Sequence, residues 1–204
     1  MFLMASTNRN KIVFLSAGTA LVVFIALFFF LPLFTHPKEN FPMKFIDARA
    51  AAARVSKDIV ALTNETNDII GSVDTLDFSS DKEKALSLIR EAKNANGEAY
   101  NKAFALSQEL QKLAESLADI KSPENQRVMY EAVAVELSLV SEFITYTQNL
   151  QTFLDKVASV VSSNTEANKL AVQDGLKAVN EKITVINNLN ETFLSKIARF
   201  DGAL

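Results

Sequence analysis

Residues 45–76 read FIDARAAAARVSKDIVALTNETNDIIGSVDTL, and the spacing of small and apolar residues in this stretch decides the fold. One series of residues alternates steps of three and four without a slip. Its members are Phe45, Ala48, Ala52, Val55, Ile59, Leu62, Thr66, Ile69, Val73 and Leu76. Such an alternation places side chains along one side of an α-helix, in the heptad pattern by which helices wind around one another. The stretch therefore predicts a long helix that needs partner helices.

We call such a series of regularly spaced, mostly apolar residues a seam. Three further seams follow the first, separated by short breaks. The second consists of Ala85, Ile89, Ala92, Asn96, Ala99, Ala103, Leu106, Leu110, Leu113, Leu117 and Ile120. The third consists of Met129, Val133, Glu136, Val140, Phe143, Thr147, Leu150, Leu154, Val157 and Val161. The fourth consists of Val172, Leu176, Val179, Ile183, Ile186, Asn190, Phe193, Ile197 and Phe200. We expect helices over residues 44–77, 81–121, 123–162 and 165–200.

The breaks carry signals for the start of a helix. Ser80 and Glu83 form a capping-box pattern, in which each side chain satisfies a free backbone amide of the first turn. Ser122 stands before a proline, the arrangement favoured at the first helical position. The expected capping residues are Ser80, Ser122 and either Asn164 or Thr165.

Long helices joined by breaks of a few residues fold back antiparallel. The predicted fold is all-α: residues 44–204 form an up-down-up-down four-helix bundle with coiled-coil-like packing, about 55 Å long at 1.5 Å per residue.

An apolar segment precedes the bundle. Residues 12–34 carry no charge and would form a helix of about 35 Å, enough to cross a bilayer core of about 30 Å. A cleaved signal peptide fits less well, because its apolar region is shorter and ends in small residues. We expect a retained signal-anchor helix, with residues 1–11 as a short cytoplasmic tail and 35–43 as a linker. Arg9 and Lys11 favour an N-terminus in the cytoplasm, with the bundle periplasmic or extracellular, although Lys38, Lys44 and Arg49 reduce the charge difference.

Composition excludes several classes of function. Outside the N-terminal region, 19 basic and 24 acidic residues give a net charge of −5, so nothing favours nucleic-acid phosphates. The chain has no cysteine and one histidine, His36, which lies in the linker. No catalytic set, metal-ligand motif or cofactor fingerprint assembles. We expect a protein without enzymatic activity, cofactor or metal.

Polar residues interrupt the seams at five places. They are Thr66, Asn96, Glu136, Thr147 and Asn190. Folding the chain at its three breaks places Thr66 and Asn96 near Thr147, and Glu136 beside Asn190. The two resulting layers fix the register between helices, because a buried polar group selects a polar partner. Alternatively they line a small-molecule pocket, with Glu136 holding a cationic ligand.

The third helix carries apolar residues beyond its seam. They are Val128, Val135, Leu137, Leu139 and Ile144. Either this helix is the most deeply buried of the four, or these residues form a face for self-association. Both interpretations remain open from the sequence.

In outline, residues 43–200 resemble the periplasmic four-helix sensor domains of bacterial chemoreceptors, although no second apolar segment follows them. The leading hypothesis is a membrane-anchored scaffold that binds partner proteins or copies of itself. The alternatives are a chemoreceptor-like bundle that binds a small ligand and acts through a separate transducer, and a filament subunit with residues 12–34 as its core.

Overall fold

The computed structural model describes residues 41–163 and 165–202. The bounds of its helices are α1 Met43–Asp74, α2 Lys82–Ser116, α3 Pro123–Ser162 and α4 Glu166–Gly202. A short 3₁₀ turn, Leu117–Asp119, follows α2. These helices pack against each other, and the described part of the chain contains no strand, so the all-α prediction is confirmed.

The predicted membrane helix at residues 12–34 lies outside the described residues, as do the tail at 1–11 and most of the linker. Among the residues that are described, no helix is long and apolar enough to span a bilayer.

The ends of the helices follow the sequence signals, with one exception. The Ser122 hydroxyl accepts a hydrogen bond from the Asn125 amide at 3.3 Å, with proline at the next position, as predicted. Thr165 caps α4, because its hydroxyl accepts from the Asn168 amide at 3.2 Å. The Asn168 side chain also donates to the Ser163 carbonyl at 2.8 Å, which ties the last turn of α3 to the first turn of α4.

The predicted capping box at Ser80 and Glu83 is wrong. The residue before α2 is Asp81, and no side chain there bonds to a first-turn amide. Asp77 organises the turn instead: its carboxylate accepts from the Ser79 amide at 2.9 Å and from the Ser79 hydroxyl at 2.8 Å. These hydrogen bonds lower the pKa of Asp77, because they favour its charged form. The Ser80 hydroxyl donates to the Asp77 carbonyl at 3.4 Å, within the turn.

Ion pairs between helices, together with the short connections, place each helix antiparallel to the one before it. Lys102 on α2 contacts Asp58 on α1 at 2.7 Å. Lys93, earlier on α2, contacts Asp155 near the end of α3. The remaining pairs join α3 to α4, and they are Lys182 with Glu142 at 2.7 Å and Lys196 with Glu131 at 2.8 Å. Because these pairs are partly exposed to solvent, they mainly report the register.

The first helix is turned relative to the prediction. Val55, Leu62 and Ile69 of the predicted seam are only half-buried at the edge of the core. The buried positions lie one residue further on, and they are Arg49, Ser56 and Thr63. This corresponds to a turn of the buried stripe by roughly 50° about the helix axis. Thr63 tolerates burial because its hydroxyl donates to the Ile59 carbonyl of its own helix at 2.8 Å.

The close approach of α4 to α3 depends on Gly175. A Cβ atom at this position would lie 3.3 Å from side-chain atoms of both Phe153 and Lys156. A side chain there would therefore press against α3, which only glycine avoids without displacing its neighbours.

We expect Leu110→Ala to lower the free energy of unfolding by about 2–5 kcal/mol, because Leu110 is fully buried and its loss leaves a cavity. Leu170→Ala is the matched control, since Leu170 is exposed near the start of α4. Urea unfolding followed by circular dichroism measures both. Equal effects would contradict the described core.

Candidate functional site

All four helices contribute to one layer of the core, toward the end of the bundle at which α1 begins. α1 supplies Arg49 and α3 supplies Glu136. The surrounding wall is apolar and consists of Leu113, Met129, Ala132, Val133, Phe193 and Ile197. The space that they enclose is about 10 Å³. That is room for one water molecule at most, so the layer as it stands does not admit an organic ligand.

The environment of Glu136 disfavours its charge. The residue is 4% exposed, and burial raises its pKa from 4.5 to about 8, an effect that the charge of Arg49 only partly offsets. The carboxyl group is therefore mostly protonated at neutral pH. The Nη1 and Nη2 atoms of Arg49 are likewise shielded from solvent. The layer thus places a fixed positive charge and a neutral acid within the core.

Asn190 of α4 does not line this cavity, although the Lys182–Glu142 and Lys196–Glu131 pairs set it at the level of Glu136. Asn190 is buried on α4, but the residues of α4 that line the cavity with Glu136 are Phe193 and Ile197. The charged neighbour of Glu136 is Arg49, which the sequence analysis used only to judge membrane orientation. The sequence does contain a pattern that could have indicated the burial of Arg49. Ser56 and Thr63, which are also buried, follow Arg49 by seven and fourteen positions and so lie on the same side of α1.

The second predicted layer comes together between α2 and α3. The Asn96 side-chain amide donates to the Thr147 carbonyl at 2.8 Å and lies 3.4 Å from the Gln151 side-chain oxygen. The Thr147 hydroxyl donates to the Ile144 carbonyl at 2.8 Å, within its own helix. Thr66 does the same on α1, donating to the Leu62 carbonyl at 2.8 Å. The hydrogen bonds of this layer therefore lie within the bundle.

The extra apolar residues of α3 are divided between the core and the surface. Val128 and Leu139 are buried, and Val135 and Ile144 are half-buried against the core. Leu137 is 38% exposed. The five residues therefore do not form one continuous exposed face, and two of them are unavailable to another subunit.

An outer surface formed by α2 and α3 contains Leu137 together with residues that the sequence analysis did not group. Lys93 and Asp155 meet across these two helices, and Asn96 lies beside Gln151. A step of seven residues returns to the same side of a helix. Tyr100 follows Lys93 by seven, and Ile144 and Leu137 precede Gln151 by seven and fourteen. These side chains therefore border the same groove between α2 and α3.

We call this surface the α2–α3 face. Its members on α2 are Gly97, Tyr100, Phe104 and Gln111, and on α3 they are Tyr130, Ala134, Leu137, Ser141, Ile144 and Gln148. Phe104 is 48% exposed, and its ring meets the ring of Tyr100 edge to face at 5.1 Å. Sequence analysis missed the face because it grouped Leu137 and Ile144 with Val128 and Val135, which lie on the side of α3 nearer α4.

The α2–α3 face has no charged residue from Gly97 to Gln111 on α2 or from Ala134 to Gln148 on α3, although 22% of the chain is charged. Charges appear at its two ends. One end is marked by the Lys93–Asp155 pair. The other end is marked by Glu115, which accepts a hydrogen bond from Gln111 at 3.2 Å, and by Arg127, which bonds to Glu124 and Glu131 on α3. The face is therefore a bounded uncharged area of partly exposed aromatic, aliphatic and small polar side chains.

The described residues contain no cluster of His, Cys, Asp or Glu that could hold a metal ion. No protein-family model, curated protein or solved structure matches the chain.

Glu136→Gln tests the protonation of the buried layer. Glu136 has a higher pKa in the folded state than in the unfolded state, so its stabilising contribution is full below pH 4.5 and is lost as pH rises through 8. Raising the pH from 5 to 8.5 should therefore lower the unfolding free energy of the wild type by about 2–4 kcal/mol more than that of Glu136→Gln. Urea unfolding at each pH gives both values.

Glu98→Gln serves as the control, because Glu98 is exposed on α2 and should leave the pH dependence unchanged. Parallel pH profiles for the wild type and Glu136→Gln would contradict the assigned protonation state.

Asn96→Ala should lower the free energy of unfolding by about 1–3 kcal/mol, because it removes the donor to the buried Thr147 carbonyl. Asn94→Ala, at an exposed position two residues earlier, is the control and should change stability by less than about 0.5 kcal/mol. Thermal and urea unfolding provide the comparison. If the two variants behave alike, the hydrogen bond does not hold α2 to α3.

Proposed function

We propose that the chain is a non-enzymatic scaffold, or protein-interaction module, held at a membrane by residues 12–34 with its bundle outside the cytoplasm. The observation that carries this proposal is the α2–α3 face. An uncharged surface with partly exposed Phe104, Leu137 and Tyr130 is typical of a protein contact, since aromatic side chains are enriched and charged ones depleted at interface cores. Residues 44–204 would serve as a stiff coiled-coil-like rod that presents this surface.

The filled interior supports a role for the surface. The layer that contains Arg49 and Glu136 encloses only about 10 Å³, and the side-chain amide of Asn96 is bonded within the bundle. A ligand would have to separate the helices before it reached Glu136, at the cost of core packing. Function at the exterior requires no such rearrangement.

The start of α1 supports attachment to a bilayer. Met43 is 68% exposed, and Ile46 is also exposed, one turn along the same helix. Apolar side chains at the end of the bundle that directly follows the predicted anchor would lie beside the membrane surface, where they are favourable. Under the positive-inside rule, Arg9 and Lys11 hold the N-terminal tail in the cytoplasm.

The chemoreceptor-like alternative takes its support from the buried Arg49 and Glu136, because such a charged layer would recognise a polar ligand if the bundle opened. The volume of the closed layer places this function second. The filament alternative depends on residues 12–34, which lie outside the described residues.

Orientation is testable by single-cysteine labelling, since the chain has no cysteine of its own. Asn188→Cys places a thiol on the exposed surface of α4, and Thr7→Cys places one in the N-terminal tail. A membrane-impermeant maleimide should label Asn188→Cys in intact cells and Thr7→Cys only after permeabilisation. Deletion of residues 12–34 should release the protein from membranes.

The reverse labelling pattern would overturn the proposed orientation. Full extraction of the wild-type chain by alkaline carbonate would show that residues 12–34 do not span the bilayer. Either result would remove the anchored scaffold as the function.

A further inference from the structure

The α2–α3 face is patterned for contact with helices. On α3, Tyr130, Leu137 and Ile144 recur every seven residues, so they form a stripe parallel to the helix axis. On α2, Tyr100 and Phe104 stand beside this stripe with their rings edge to face. A partner helix laid along the stripe would contact successive members of it.

The charge pattern indicates which partner fits. Residues beyond the N-terminal region carry a net charge of −5, so two copies repel each other over most of their surface. The part of the α2–α3 face between the Lys93–Asp155 pair and Glu115 carries no charge, and two such areas can meet without burying one. A strongly charged partner would find nothing on this face to pair with.

The charges at one end of the face are complementary to those of a second copy. Lys93 on α2 and Asp155 on α3 lie at the same level of the bundle. A rotation of 180° about an axis parallel to the helices sets α2 of one copy against α3 of the other. Lys93 of each copy then lies opposite Asp155 of the other, and the uncharged centres of the two faces coincide.

The size of the face is sufficient for a weak dimer. Residues 134–148 of α3 span about 21 Å at 1.5 Å per residue, and two packed helices are about 20 Å wide. Each copy would bury about 400–500 Å², or about 1,000 Å² in total, near the lower limit of specific interfaces. Anchoring both copies in one membrane would raise their effective concentration, so a weak interface would suffice.

We propose that the occupant of the α2–α3 face is a second copy of this chain, in a two-fold dimer whose axis runs along the bundle. This inference rests on the proposed function, because anchored copies share one membrane and one orientation. Phe104 and Leu137 of each copy form the centre of the interface, and Ser141 and Gln148 lie at its rim.

Cross-linking of the full-length chain tests this dimer. The single-cysteine variant Ser141→Cys is purified in detergent. The micelles are kept in large excess over the protein, so that two chains do not share a micelle by chance. The sample is then treated with a short bis-maleimide. Asn188→Cys, on the exposed surface of α4, is the matched control. We expect at least tenfold more covalent dimer from Ser141→Cys than from Asn188→Cys.

A second substitution, added to Ser141→Cys, asks whether the contact is specific. Phe104→Glu places a carboxylate from each copy at the centre of the interface and should reduce cross-linking to the level of Asn188→Cys. Val185→Glu puts the same charge on the exposed surface of α4 and should leave cross-linking unchanged. Unchanged helicity by circular dichroism verifies that each variant is folded.

Equal cross-linking at the two cysteine positions, or cross-linking that survives Phe104→Glu, would overturn the dimer. So would the appearance of a different protein in place of the second copy when Ser141→Cys is cross-linked in cells. The cysteine-labelling experiment separates the two proposals. If Asn188→Cys is labelled from outside but Ser141→Cys does not cross-link, the dimer is rejected and the anchor stands. If Ser141→Cys cross-links but alkaline carbonate extracts the chain from membranes, the anchor is rejected and the dimer stands.

Discussion

The burial of one apolar seam on each of four helices is the constraint on which the rest of this structure depends. None of the helices can shield its own seam from water, so all four must pack together, and short breaks between them impose an antiparallel order. The layer that contains Arg49 and Glu136 encloses only about 10 Å³. Several polar side chains inside, such as Thr63 and Asn96, donate hydrogen bonds within the bundle.

The layer that contains Arg49 and Glu136 shows how such a bundle tolerates ionisable groups. Apolar packing has replaced the water around Glu136, and the result is a proton held on the carboxyl group at neutral pH. The charge of Arg49 remains, because a guanidinium does not deprotonate in this range. A buried pair of this kind adds little stability compared with an apolar pair of similar size, and its more general value lies in selecting one arrangement of helices.

Heptad spacing predicted the existence, order and direction of the helices, because the apolar seams repeat over thirty or more residues and little else is compatible with them. Spacing did not predict the rotation of α1, since Val55 and Leu62 look equally suited to the core and only contact with the other helices decides which side turns inward. The level of Asn96 with Thr147 followed from the lengths of the chain segments. The lengths of the chain segments did not predict that Arg49 is the charged neighbour of Glu136. That neighbour depends on how far the arginine side chain extends from α1, which the spacing of residues does not give. The α2–α3 face is likewise a property of two helices together, which neither sequence segment shows alone.

The ion pairs between helices follow a rule that bears on how the chain reaches this arrangement. In every pair described above, the lysine comes from α2 or α4, and the carboxylate from α1 or α3. If α1 and α3 became neighbours during folding, acidic residues such as Asp58 and Glu142 would face one another, and α2 beside α4 would set lysine against lysine. Four similar seams would also permit a bundle in which α1 packs beside α3 and α2 beside α4. Repulsion between like surface charges disfavours that arrangement. Salt weakens such opposition before it weakens the core, so ionic strength would influence the accuracy of folding more than the stability of the folded chain.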